Sequence, residues 1–257
     1  MPRRWVHEVS VDWLKARRHV VTATDVVGLV SEYKRLKKKP LKPGEVSLGF
    51  AGLWAEKHSE DDPDPVSTGA AARGHILEPY AVESWNLNNP DEVYHHWDDC
   101  IIVRNGLGFS PDAMSYSQSK YLNAVLLKAT KIEVPKSIME IKSYEPKHHM
   151  KEVLKGKMEH DEIMQLAVAF TIMPKLESAR LLFYCPEAPI QMHSELYTRD
   201  DLKEQIEIVK QVWAVYRDTD KLLRGRKGTM KSAYTINEIW KEFQEEQQLK
   251  SNNIFIL

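Results

Sequence analysis

Short β-like runs alternate with helix-periodic segments along a single chain of 257 residues, and this interleaving narrows the fold more than any other feature. Val26, Val27, Leu29, Val30 and Tyr33 recur at helical spacing over about 25–36, with Thr24 as the expected N-cap and Pro40 and Pro43-Gly44 beyond the end. Ser67 or Thr68 can cap a second helix carrying Arg73, Leu77, Glu78 and Ala81; Pro79 costs it one backbone hydrogen bond and is expected to kink it. Strand-like sequence follows. Residues 99–104, a turn at Asn105-Gly106 and residues 107–110 read as a hairpin, with 132–134 and 137–143 as further short strands. A helix over about 151–170, a strand over 179–185, an amphipathic helix from Asp200 and a last helix over 236–249 complete the expectation. Such a mixture implies an α/β (α+β) domain with a central mixed β-sheet flanked by helices. No repeat or long linker divides it, so residues 1–257 are expected to form one domain.

Composition excludes several classes. With 42% hydrophobic and 28% charged residues the chain is neither disordered nor collagen-like. Two cysteines, Cys100 and Cys185, rule out a disulfide framework or a four-cysteine metal site, and their apolar strand-like surroundings suit packed small hydrophobes. No apolar run approaches the ~20 residues of a membrane span, and none follows the N-terminus as in a signal peptide. A soluble, cytoplasmic protein without a membrane partner is the expectation.

The net charge of −1 conceals an asymmetry. Residues 1–42 hold 11 Lys/Arg against 4 Asp/Glu, a local +7, much of it in Lys34-Arg35-Leu36-Lys37-Lys38-Lys39. A second basic stretch runs from Lys221 to Lys231. Because screening confines such fields to about a Debye length, a local patch can hold phosphate whatever the total charge; two solvated surface runs remain the alternative.

An acid, one residue, then lysine occurs four times, at Glu32, Glu140, Glu145 and Asp201. Glu32 and Asp201 lie in helical patterns, where side chains two apart diverge, and a proline follows Glu145. Only Glu140 falls in a strand pattern, Ser137-Ile138-Met139-Glu140-Ile141-Lys142. Period two then puts Glu140 and Lys142 on one face, with Met139 and Ile141 on the other. An exposed ion pair is the ordinary reading of that face. Asp112, in Phe109-Ser110-Pro111-Asp112-Ala113, follows a strand whose pairing Pro111 ends. Two carboxylates and the Ile141 carbonyl would make an oxygen-rich site suited to Mg²⁺, with Lys142 placed to orient a water toward a phosphodiester.

Pro-Asp, a spacer and Glu-x-Lys are the signature of the PD-(D/E)XK nuclease superfamily, and four blocks bring the likeness closer. Residues 13–25, with Trp13, Arg17 and Val21-Thr22-Ala23-Thr24, resemble the W-x3-R-x3-[IV]-T-A-[ST] opening of the lambda-type phage exonucleases, the YqaJ-like viral recombinases. Arg73-Gly74 with Glu78-Pro79 and Ala81 resembles their R-G-x-x-x-E-P-x-A helix. Gly108 to Ala113 with Glu140 to Ser143 resembles G-x-S-P-D-[AG] and E-[IF]-K-[CS], and Gln165 resembles the glutamine of the following helix. The core of the likeness covers about 13–190; the helical segment at about 200–250 is read from periodicity alone.

The resemblance implies a PD-(D/E)XK (restriction-endonuclease-like) core and a Mg²⁺-dependent 5′→3′ exonuclease, with Mn²⁺ as a substitute. Its substrate would be double-stranded DNA ends, trimmed to 3′ overhangs for recombination by strand annealing. Asp112, Glu140 and the Ile141 carbonyl would hold the metal, Lys142 would activate the water, and Glu78 would join the site directly or through water. Gln165 would position the water or the scissile strand, while Arg17, Thr24 and Ser110 would hold the terminal 5′-phosphate. A homotrimeric ring and a single-strand annealing partner are likewise implied. The 28 positions between Asp112 and Glu140 exceed the family's short hairpin, leaving 115–131 as an insertion. A restriction- or repair-type endonuclease, or a non-catalytic DNA-binding protein on the same fold, are the alternatives. His95-His96 and His148-His149 are expected at the surface, since adjacent side chains diverge. Trp54 and Trp97 are core candidates that could instead stack on a base.

Overall fold

The computed structural model describes residues 6–8, 11–59, 66–97, 100–116, 134–225 and 254–256. In chain order the elements are β1 (Val6–Glu8), α1 (Val11–Arg18), β2 (Val21–Thr22), α2 (Ala23–Lys38), α3 (Leu48–Lys57), β3 (Val66–Thr68) and α4 (Gly69–Asn88). There follow β4 (His95–His96), β5 (Ile101–Arg104), β6 (Leu107–Phe109), β7 (Ala113–Ser115), β8 (Ser137–Lys142), α5 (Pro146–Val153) and α6 (Ile163–Ile172). The remainder are β9 (Ser178–Tyr184), β10 (Met192–Thr198), α7 (Lys203–Gly225) and β11 (Ile254–Ile256). The expected helix over 236–249, residues 117–131 of the insertion and most of the second basic stretch lie outside the described residues.

The fold is mixed α+β, as expected. Its main sheet has the order β10-β9-β8-β7-β4, and a second runs β11-β5-β6-β2. β8 pairs in parallel with β9 and antiparallel with β7. Parallel neighbours need a crossover, and α5 and α6 supply it. One face of the main sheet shares a core with α2, α3, α6 and α7, built around Ile138, Leu166, Phe170, Leu181, Phe183 and Tyr197. On the other face Leu77, Ala81, Val82 and Trp85 of α4 pack against Met139, Ile141, Leu182 and Tyr184. Both cysteines are buried and free. No helix among the described residues is long and apolar enough to cross a membrane.

Several expectations need correction. Thr22, not Thr24, caps α2: its N–H donates to Asp25 Oδ2 (2.7 Å) while Asp25 N–H donates to its Oγ1 (3.3 Å). The aspartate three residues on closes a reciprocal capping box that Thr24 has no equivalent acid to form. Thr24 thereby becomes an exposed first-turn residue. The single helix expected over 151–170 is two, because Gly156 opens a loop held by Glu159, whose Oε2 accepts from the Gly156 N–H (3.3 Å). β10 escaped the sequence reading because it is an edge strand with His193 and Glu195 among its side chains, without clean alternation. Pro79 does lie inside one helix, α4, as expected. Trp54 is core: it is buried and its Nε1 donates to Asp220 (2.8 Å), so it offers no stacking platform.

The hairpin does form as expected. Arg104 pairs with Leu107 around a two-residue loop, with Asn105 at φ 53° and Gly106 at φ 78°. Positive φ at both positions is what a right-twisted hairpin asks of its turn. Two residues on, Gly108 pairs with Thr22, and a Cβ there would meet Val20 Cγ2 at 2.8 Å. Gly108→Ala is therefore expected to lower stability by about 1–3 kcal/mol in urea denaturation. Adding Val20→Ala should cost less than the sum of the two single changes, since the second removes the clash.

Candidate active site

The nine residues that the sequence assigns to the site line one cleft of ≈ 1030 Å³: Arg17, Thr24, Glu78, Ser110, Asp112, Glu140, Ile141, Lys142 and Gln165. They come from α1, the start of α2, α4, the β6–β7 connection, the end of β8 and α6.

The centre is built by unequal strand lengths. β7 pairs with β8 only as far as Ala113 opposite Met139, while β8 runs on to Lys142 beside β9. Past that point the inner edge of β8 has no ladder partner from β7, and Pro111 has no N–H to offer one. Asp112 fills the vacancy, its Oδ2 accepting from the Ile141 N–H at 2.6 Å. In an antiparallel ladder a residue's N–H and C=O face the same neighbour, so the Ile141 carbonyl is turned to the same open edge. Ile141 buries its side chain under α4. Glu140 and Lys142 emerge from the opposite face and pair, Nζ to Oε1, at 2.7 Å. The alternation is as expected, but the face is not an exposed one: Glu140 is 7% accessible.

This crowding perturbs the acids. Burial, then the charges of Glu140 and Glu78, pushes Asp112 well above the usual carboxylate range, against Lys142 and the Ile141 N–H. Burial opposes the charge of Lys142, yet Glu140 and Asp112 outweigh it and hold the ammonium above its ordinary value. Lys142 is thus a cation suited to orienting a water rather than taking its proton. Burial likewise opposes ionisation of Glu78, but His75 and His96 hold it down at about 2. Their nitrogens lie 3.6 and 3.7 Å from its two carboxylate oxygens.

Those two histidines were missed from sequence. His75 sits three residues before Glu78 on α4, a helical neighbour, and that spacing was the available signal. His96 was expected at the surface; β4 instead pairs it with Ala113, beside Asp112. His149 is also buried, its Nε2 against the Ile190 carbonyl (2.7 Å), whereas His148 is exposed on the cleft wall.

Three carboxylates, a strand-edge carbonyl and a carboxamide make a hard-oxygen donor set, the chemistry of a Mg²⁺ or Mn²⁺ site. The Gln165 Oε1 is buried without a hydrogen-bond partner, and its Nε2 reaches Thr24 Oγ1 at 3.5 Å. These features fit a divalent cation.

On the wall of the same cleft, Arg17 lies over the Trp13 ring at 4.4 Å. Burial lowers its pKa despite Asp25, Glu140 and Asp112, without discharging a guanidinium. Among the described residues it has no hydrogen-bonded acid. Thr24, in the first turn of α2, faces the same space with the positive end of a helix dipole. Ser110 is engaged: its hydroxyl donates to the Cys100 carbonyl and accepts from Trp13 Nε1 at 3.1 Å. Arg73 is buried and acts as a latch, bonding Glu187 (2.8 Å) and the Tyr144 carbonyl (3.3 Å).

A family model for the YqaJ-like viral recombinase domain matches residues 12–173. The crystal structure of LHK-Exo in complex with dAMP superposes with a TM-score of 0.58 at 18% identity, covering 84% of this chain and 97% of that one. A second structure, an alkaline exonuclease (LHK-Exo) from Laribacter hongkongensis, gives 0.56 at 18% identity with the same coverages. At such identity the likeness speaks for the fold. The comparison with curated proteins returns no match.

The charge crowding has a measurable consequence. A carboxylate whose folded pKa is raised destabilises the fold once it ionises, so its stabilising contribution is present at low pH and lost as pH rises. Asp112→Asn keeps an oxygen for the Ile141 N–H and removes that charge. Without divalent metal, the variant should be more stable than the parent at neutral pH, with the advantage fading as pH falls towards 3.8, the ordinary aspartate value, and absent below it. Urea titrations in chelator across pH check this; equal stability at neutral pH would contradict it.

Proposed function

The chain belongs to the YqaJ-like viral recombinase domain family, and from that premise we propose that it is a divalent-metal-dependent 5′→3′ exonuclease on double-stranded DNA ends, leaving 3′ single strands for recombination by annealing. The observation that carries the reading is the strand-end cluster, with Asp112 on the Ile141 N–H and Glu140 on Lys142 in one cleft.

Asp112, Glu140 and the Ile141 carbonyl would hold Mg²⁺, with Glu78 reaching it directly or through water. When bound, the cation polarises the phosphodiester and lowers the cost of generating hydroxide near neutral pH. The chain's own groups do the rest. The Lys142 ammonium orients the attacking water and offsets charge building on the phosphate. The Gln165 carboxamide, with one oxygen unspent, positions that water or the scissile strand. His75 and His96 keep Glu78 ionised.

Arg17 and Thr24 would receive the terminal 5′-phosphate. A guanidinium forks onto it, and the α2 N-terminus adds a favourable dipole. Ser110 can join only by giving up its bond to the Cys100 carbonyl. The Lys34–Lys39 run lies at the far end of α2, about 20 Å from Thr24 by helix rise, where it suits phosphates further along a duplex. A homotrimer enclosing the duplex and an annealing partner belong to the same proposal.

A linear duplex with 5′-phosphates is expected to be degraded in Mg²⁺ while a covalently closed circle survives. Cutting of the circle would instead make the protein an endonuclease of the same fold. Asp112→Ala and Glu140→Ala should each lower turnover at least about 100-fold with DNA binding retained. Normal rates in both would remove the metal assignment.

Arg17→Ala should slow digestion of 5′-phosphorylated ends more than of 5′-hydroxyl ends. An equal loss on both would dissolve the phosphate pocket.

A further inference from the structure

A second cluster of ligand-type side chains lies outside the cleft. The loop between α5 and α6 carries His160 into the interior, its side chain 0% exposed. From β10, His193 and Glu195, two residues apart, project on the same side and stand opposite Phe183 and Leu181 of β9. The His160 ring rests 4.8 Å from the Phe183 ring. Its Nε2 lies 3.6 Å from Glu195 Oε1, and His193 Nε2 lies 3.4 Å from the same oxygen. One donor atom from each residue falls within 4.8 Å of the others. Ligands at about 2.0–2.1 Å from a tetrahedral zinc are separated by about 3.4 Å, and the two imidazole-to-carboxylate distances match such an edge.

The protonation pattern points the same way. His160 Nδ1 lies 3.3 Å from Glu152 Oε2, and Glu152 is held in turn by Lys155 (2.8 Å). A carboxylate on one imidazole nitrogen makes it the proton-bearing one and leaves the other a lone pair, as in carboxylate–histidine–metal relays. That other nitrogen, Nε2, is buried, has no hydrogen-bond partner and faces a carboxylate oxygen. With Nδ1 bearing the proton, His160 Nε2 and Glu195 Oε1 are lone-pair atoms 3.6 Å apart, and a cation between them would also be in reach of His193 Nε2, which hydrogen-bonds the same oxygen at 3.4 Å. The second oxygen of Glu195 lies 3.0 Å from the Tyr197 hydroxyl, whose one proton it shares with the Lys157 carbonyl.

We propose that His160, His193 and Glu195 form a second metal site that binds a zinc-type transition-metal ion, with a fourth position open to solvent on the His193 side. Two imidazoles and one carboxylate favour such a metal over Mg²⁺. The site is distinct from the nuclease centre: Lys142, Phe183 and His193 stand in one row across β8, β9 and β10. His193 is therefore two strand spacings, about 10 Å, from Lys142. Bound there, the ion ties the loop that leads into α6, and so to Gln165, onto the edge strand. The inference holds whatever the cleft does to DNA.

The test is a Co²⁺ titration of untagged, chelator-stripped full-length protein, with excess Mg²⁺ present to occupy oxygen sites. Expected are the intense visible bands of four-coordinate cobalt, saturating at about one Co²⁺ per chain and displaced by Zn²⁺. His193→Ala, a partly exposed position, should weaken Co²⁺ binding at least about 100-fold with an unchanged circular dichroism spectrum. Glu195→Gln should do likewise, and Asp112→Asn should leave the bands intact. Absence of these bands in the folded wild-type protein, or their survival in both His193→Ala and Glu195→Gln, overturns the site. His160 would then be a doubly protonated bridge between Glu152 and Glu195.

Discussion

One hydrogen bond, from the Ile141 N–H to the Asp112 carboxylate, organises the cleft. β8 outruns β7, and a buried strand edge cannot leave its amides unpaired. Asp112 ends the ladder by standing in for the missing strand, and this holds its carboxylate against the same edge from which Glu140 and Lys142 emerge. The sheet thus has to place two acids together in order to finish its own pairing. Burial first, and then the charges of Glu140 and Glu78, raise the pKa of Asp112 as a consequence.

Around this centre the fold supplies counter-charges from both sides. α4 brings Glu78 with an imidazole at each oxygen, and β8 itself supplies Lys142. Arg17 and the α2 N-terminus add positive potential across the cleft, without an acid bonded to Arg17 among the described residues. A site holding three carboxylates beside unspent positive groups is prepared for two ligands of opposite sign: a divalent cation at the strand end, and a phosphate beside Arg17 and Thr24. The second cluster, at His160, His193 and Glu195, follows different chemistry. There the donors are mostly nitrogen, and a carboxylate behind His160 directs its lone pair.

Where local chemistry and tertiary structure agree, the sequence was readable. Period two in Ser137–Lys142 placed Glu140 and Lys142 on one face, and Asn105-Gly106 marked a turn whose φ values few residues other than Asn and Gly accept. The nine cleft residues came from spacing and family resemblance, and they converge. Legibility failed where a partner distant in sequence decides the outcome. β10 is a strand only because β9 lies beside it, and His96 joins the cleft only because β4 pairs with β7. The break at Gly156 and the burial of His160 depend on where α5 must end to let α6 cross the sheet. Thr22 took the cap from Thr24 through Asp25, a reciprocal pair that a single-residue propensity does not see.

The account stands on metal binding at the end of β8, and crystals of the protein soaked in Mn²⁺ address that directly through anomalous scattering. The account predicts a strong anomalous peak between the Asp112 and Glu140 carboxylates, in reach of the Ile141 carbonyl. Anomalous density confined to the His160 cluster, with none between those two carboxylates in protein that still degrades DNA, would contradict it.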